Sequence, residues 1–242
     1  VPGVGKRVAI LQSNYIPWKG YFDIIGAVDE FVIYDTVQYT KNDWRNRNKI
    51  KTPDGLQWVT IPVHHHLAQT IEGTKVSDPR WAKRHWSSLV ANYARAAFFP
   101  DCEDLFRHLY GDLASEESLS AINRRFISEI CGILGINTRI TSSRKYPLAG
   151  NPTERLVGIC RALGASEYLS GPSARDYIDE ARFDEASIRL SYMDYSGYPE
   201  YRQLFGPFRH DVTILDLIFN EGPDATGFMK SFAREAAICG MR

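Results

Sequence analysis

Arg7-Val-Ala-Ile-Leu11, the loop Gln12-Ser-Asn-Tyr-Ile-Pro-Trp-Lys-Gly20 and the apolar run Phe31-Val-Ile-Tyr34 decide how this chain folds. The first run is short, apolar and rich in β-branched residues, which suits a buried strand better than a short helix. Pro17 and Gly20 mark a loop, an amphipathic stretch fills residues 21–27, and the second run ends at Asp35. Strand, loop, helix and strand at this spacing predict a right-handed βαβ crossover with parallel strands.

The same syntax returns later in the chain. A short strand over 138–141 precedes Asn151-Pro152, an N-cap followed by proline at the first helical position, and that helix runs to Leu163 before Gly164 stops it. Glu167-Tyr-Leu169 is the next strand, residues 188–192 another, and helices are expected over 212–219 and 227–238. Two stretches break the pattern. Between Val37 and Val63 the residues turn polar and aromatic around Pro53-Asp54-Gly55, and the alternating flanks (Trp44, Asn46, Asn48, Ile50; Leu56, Trp58, Thr60, Pro62) predict a β-hairpin. From 79 to 134 three helical stripes succeed one another, the first through Trp81, His85, Leu89 and Tyr93. The expected architecture is one α/β domain over 1–242, with a mostly parallel Rossmann-like sheet, a basic hairpin insertion at 37–63 and a helical insertion at 79–134.

Composition narrows the class of function. The 242 residues balance 29 basic against 29 acidic side chains, so a surface that coats nucleic acid or membrane without specificity is excluded and any basic patch is local. The cysteines at 102, 131, 160 and 239 form no C-x-x-C pair. Cys131 and Cys160 fall in apolar helical runs and read as small buried hydrophobes, Cys160 serving as an acyl-carrying nucleophile only if a base activates it. No signal-like segment opens the sequence and no run reaches the roughly 18 apolar residues of a membrane span, so a soluble cytoplasmic protein is expected.

Ligands of parallel α/β sheets bind beyond the carboxyl ends of the strands, which singles out the first loop. There Gln12, Ser13 and Asn14 offer hydrogen bonds, Tyr15 and Trp18 offer flat faces, and Lys19 adds charge at a helix N-terminus. The other reading makes the aromatic residues plugs of the sheet edge. The order Pro17-x-Lys19-Gly20-Tyr21 also echoes the Pro-x-His-x-Gly-His turn of nucleotidyltransferases, with Lys19 and Tyr21 in place of both histidines. Asp35 and Gln38 follow the second strand, where a carboxylate orients a hydroxyl, acts as a general base or simply caps the hairpin.

In Asp43-Trp-Arg-Asn-Arg-Asn-Lys49 strand alternation sets Arg45, Arg47 and Lys49 on one face and Asn46 and Asn48 on the other. Three cations on a face suit a phosphate or carboxylate, and arginine forks grip such groups bidentately. The competing reading is an edge strand guarded by charge. Of His64-His65-His66, only His64 and His66 share a face; no third donor completes a metal site, so no metal and no cofactor are expected, and either histidine is a candidate acid or base. Ser170-Gly-Pro-Ser-Ala-Arg-Asp-Tyr177 is a second strand-to-helix loop that would repeat the geometry of the first, and Tyr192, Tyr195 and Tyr198 would wall the cleft between them.

Several of these stretches are long and unusual in composition. Leu11-Gln-Ser-Asn-Tyr-Ile-Pro-Trp-Lys-Gly-Tyr-Phe-Asp23, Tyr34-Asp-Thr-Val-Gln-Tyr-Thr-Lys41, Asp43-Trp-Arg-Asn-Arg-Asn48, Tyr168-Leu-Ser-Gly-Pro172, Leu215-Asp-Leu217 and Phe219-Asn220 resemble, in order, the WbqC-like protein family. That resemblance implies a setting in bacterial O-antigen, other glycan or secondary-metabolite assembly. It points to a small-molecule substrate, a nucleotide-linked amino sugar or a thioester-carried acyl or aminoacyl group, and to a carrier protein as partner, with neither nucleic acid nor membrane. The expected activity is amide formation on an amino group. Arg45, Arg47 and Lys49 would hold the donor phosphate, Gln12, Asn14 and Tyr15 the acceptor, and Asp35, His64 or His66 would take the proton. Nucleotidyl or adenylyl transfer, and non-catalytic glycan or carrier binding, are the alternatives.

Overall fold

The computed structural model describes residues 5–232. Five strands, β1 (Lys6–Leu11), β2 (Glu30–Ile33), β5 (Arg139–Ser142), β6 (Ala165–Ser170) and β7 (Arg189–Tyr192), form an all-parallel sheet in the order β5-β2-β1-β6-β7. Strands β3 (Arg47–Thr52) and β4 (Gly55–Thr60) pair antiparallel as a separate hairpin, with Lys49 opposite Trp58. The fold is Rossmann-like, as the repeated βαβ syntax predicts.

Period-2 alternation divides the central strands between two cores. Ala9, Phe31, Ile33 and Leu169 face one side, where α1 (Lys19–Gly26), α2 (Trp81–Tyr93), α3 (Phe99–Leu113), α4 (Leu119–Ile133), α7 (Ile214–Glu221) and the hairpin pack. Val8, Ile10, Val32 and Tyr168 face the other, under α5 (Pro152–Ala162) and α6 (Glu180–Glu185). With both faces covered, the strands are continuously apolar at their centres, which is why β2 is buried along its whole length.

Local signals act as expected at α5, where Asn151 and Glu154 form a reciprocal capping box ahead of Pro152. The loop after β6 differs. Pro172–Asp176 is a short 3-10 turn and α6 begins only at Glu180, so no α-helical N-terminus follows β6 directly. Residues 222–228 likewise form a 3-10 turn, so the helix expected over 227–238 is present only from Lys230, and residues 233–238 of that expectation, with Cys239, lie outside the described residues.

The chain leaves β1 toward β2 on one side and later crosses to β6 on the other, which makes the gap between β1 and β6 the topological switch point. Loops diverging there leave a crevice beyond the strand ends.

Candidate functional site

Arg45 occupies that crevice. It precedes β3, in the turn before the hairpin, and its guanidinium donates to Asn14 Oδ1 and, at 3.2 Å, to Gln12 Oε1, with Asp43 at 3.6 Å. From the loop after β6 comes Tyr177, whose hydroxyl is pushed up by desolvation and pulled back by the Arg45 charge. The first loop and the hairpin are thereby joined over the switch point by one cation.

Asn14 also borders a cleft of about 270 Å3, lined by Pro17, Trp18, Trp44, Asn48, His210 and Asp211. Each wall has a local cause. Trp18 stands at the N-cap of α1 with its indole lying over Gly20, where a Cβ would come within 2.3 Å of the ring and displace the indole. Asn48 faces inward from β3 and donates to the carbonyls of Tyr15 (3.1 Å) and Ile16 (2.6 Å), fixing the loop at Ile16, whose φ is +40°. Asp211 accepts Lys49 Nζ at 2.7 Å and two Arg209 donors at 2.8 and 2.9 Å, and the Arg209 hydrogen bonds, with Lys49 beside them, hold its carboxyl well below the usual carboxylate range. His210 is half-buried; its Nδ1 is shielded from solvent and has no hydrogen-bond partner among the described residues, and burial first, then the Lys19 charge, lower its pKa. A neutral imidazole lines the cleft, with its unbonded Nδ1 covered by the protein. A larger hollow of about 610 Å3 near Arg7 and Glu167 is lined by an ion pair at 3.0 Å and offers no such group.

Of the residues singled out in the sequence, Gln12, Asn14, Trp18, Arg45, Asn48 and Lys49 come together here, with Trp44. The rest do not. Tyr15 is wholly buried, its hydroxyl hydrogen-bonded to His85 Nδ1 (2.8 Å) and Tyr110 (2.9 Å), so its ring faces the core and not a ligand. Lys19 is buried too; its ammonium donates to Pro199 O at 3.1 Å and lies over the rings of Tyr198 and Tyr201, and desolvation lowers its pKa to about 8. It is not among the cleft's lining residues, which removes the phosphate-contacting part of the nucleotidyltransferase-like turn. Asp35 is buried and accepts Ser13 N (2.8 Å), Ser13 Oγ (2.7 Å) and Ser120 Oγ (2.5 Å), so it ties the first loop to α4.

His64 and His66 are exposed in a segment that contributes nothing to the cleft lining, and Gln38 is exposed beside Thr70. Arg47 bonds Asn42 O and stacks on Trp58, outside the cleft. Ser170 is buried against Tyr168, and Tyr192 bonds Glu180 at 2.8 Å. Tyr195 touches the site indirectly, edge-on to Trp18 at 5.0 Å. Cys160 is on the buried face of α5 and burial pushes its thiol up to about 12, so at neutral pH it is a protonated thiol. Among the described residues no group of three or more His, Cys, Asp or Glu could hold a metal ion, and no helix is long and apolar enough to cross a membrane.

His210 and Asp211 are the cleft-lining residues that sequence reading missed. They lie in an irregular stretch without hydrophobic period, and the adjacent pair His-Asp was the one available signal.

Fold and site together define a Rossmann-like α/β protein with an aromatic-walled cleft beside its switch point. The chain belongs to the WbqC-like protein family, whose model matches residues 12–227. It is 51% identical over 227 residues, 93% of this chain and 98% of the other, to "Uncharacterized protein Rv1507c" of Mycobacterium tuberculosis (strain ATCC 25618 / H37Rv). No solved structure matches the chain.

Proposed function

We propose that the protein is a transferase that forms an amide on an amino group, with an amino sugar as acceptor and an activated acyl or aminoacyl thioester as donor. The observation that carries this reading is a half-buried His210, held neutral, in the lining of a cleft walled by Trp18 and Trp44. Indole faces suit the apolar face of a sugar ring, and Asn14, Asn48 and Asp211 supply the few convergent polar groups that orient it. His210 is held neutral, so it accepts the proton of the acceptor ammonium. The free amine attacks the thioester carbonyl, the C–N bond forms and the C–S bond breaks; the proton held by His210 goes to the departing thiolate, and the second proton lost from the nitrogen goes to solvent. Arg45, at the switch point next to Asn14, is the group that would hold the donor's phosphate.

The test is direct. The protein is incubated with a free and a nucleotide-linked amino sugar and a panel of pantetheine acyl and aminoacyl thioesters, and amide products are read by mass spectrometry. Turnover is expected in the parent and a fall of about 10²- to 10⁴-fold in His210→Ala, the usual contribution of a general base. Absence of amide from every combination, or an undiminished His210→Ala, overturns the reading.

A further inference from the structure

We propose that the outer face of the hairpin is a stacking site for the base of a nucleoside diphosphate, so that the acceptor enters the cleft carrying that group. The link to the cleft rests on the acceptor assigned above. Trp44 and Trp58 are 40% and 42% exposed, with ring centroids 5.4 Å apart. Water-facing indole pairs are costly unless a partner covers them. Cations already lie on these rings: Lys49 Nζ is 5.5 Å from the Trp44 centroid and 5.1 Å from that of Trp58, and the Arg47 guanidinium is 4.3 Å from Trp58.

The pattern selects a ligand that is flat and anionic at once. A purely apolar partner would have to desolvate Lys49 and Arg47, whereas a nucleobase adds a π face and its diphosphate adds the opposite charge. The strand register explains the assembly: Lys49 stands directly opposite Trp58, and Arg47 is two residues back on the same face. Trp44 belongs to both surfaces, since it also walls the cleft next to Asn14 and Asp211. A sugar attached to the diphosphate would therefore start at the cleft mouth.

Calorimetric titration at low ionic strength with UDP, ADP, uridine and pyrophosphate tests the site in the parent, Trp58→Ala, Trp58→Phe and Arg47→Met, each checked for fold by circular dichroism. UDP or ADP is expected to bind at least about ten-fold tighter than uridine or pyrophosphate, and roughly 5- to 100-fold more weakly to Trp58→Ala, with Trp58→Phe recovering most of the loss. Pyrophosphate binding should weaken in Arg47→Met and be unmoved in Trp58→Ala. The proposal is overturned if both nucleotides bind no tighter than pyrophosphate, or if Trp58→Ala binds them as the parent does. The two readings fail separately. Amide formed on a free amino sugar by a protein indifferent to UDP and ADP removes the stacking site and leaves the reaction. Trp58-dependent nucleotide binding without amide from any donor removes the reaction and leaves the stacking site.

Discussion

His85 is clamped between Tyr15 OH at Nδ1 (2.8 Å) and Thr60 O at Nε2 (3.1 Å). Since a carbonyl only accepts, Nε2 carries the proton and Nδ1 accepts from the tyrosine, which is the neutral ring. Burial lowers its pKa to about 4 against 6.5 when free. Between those values the unfolded chain binds a proton that the folded protein refuses, so stability falls as pH drops from about 6.5 to about 4, by about 3 kcal/mol in all. Urea unfolding midpoints of the parent and His85→Gln across this window check it: the variant should lose that part of the slope, and equal slopes would refute the assignment. The residue scale is also where sequence reading was weakest. Tyr15 reads as a loop aromatic at a strand end, and it is core because Asn48 captures the carbonyls of residues 15 and 16 from a distant strand. No local spacing encodes that contact.

The hairpin was legible as an element because alternation has one physical cause, the pleat. Asn46 and Asn48 face in and Arg45, Arg47 and Lys49 are partly exposed, as the sequence implied, although pairing starts only at Arg47, leaving Arg45 in the preceding turn. What alternation could not supply was the partner of each face. Asn48 docks the hairpin onto the first loop, while Asn46 Nδ2 donates to Ile61 O at 2.8 Å within the hairpin itself, so the insertion is held by an amide as well as by apolar contact. Removing it leaves buried carbonyls unmet. Asn48→Ala should lower stability by about 2–4 kcal/mol for two orphaned acceptors, read as a lower urea midpoint at unchanged slope. A loss below about 0.5 kcal/mol would mean that water replaces the amide and that the hairpin is docked by other contacts.

At the scale of the molecule, the irregular stretch 193–212 carries His210 and Asp211 across the hairpin and α1, and its placement depends on one buried carboxylate. Asp216, on α7, accepts Tyr93 OH (2.8 Å), Tyr201 OH (2.7 Å) and Gln203 Nε2 (2.7 Å). Burial raises its pKa while these donors oppose the rise. Gln203 in turn donates to Arg209 O (2.8 Å) and accepts Arg209 N (2.9 Å), directly before the cleft residues, and its Oε1 also accepts the buried Lys51 ammonium at 2.7 Å. This path runs from Asp216 through Gln203 to His210. The βαβ halves were readable from short apolar runs, whereas this strap has no period and is ordered by polar contacts between distant residues. Asp216→Ala orphans two buried hydroxyl donors, Tyr93 and Tyr201, and releases Gln203; it should cost about 3–5 kcal/mol, with hydrogen exchange accelerating over residues 203–213 more than in β1. If protection falls equally in both regions, Asp216 stabilises the fold as a whole and does not specifically hold the strap that forms the cleft.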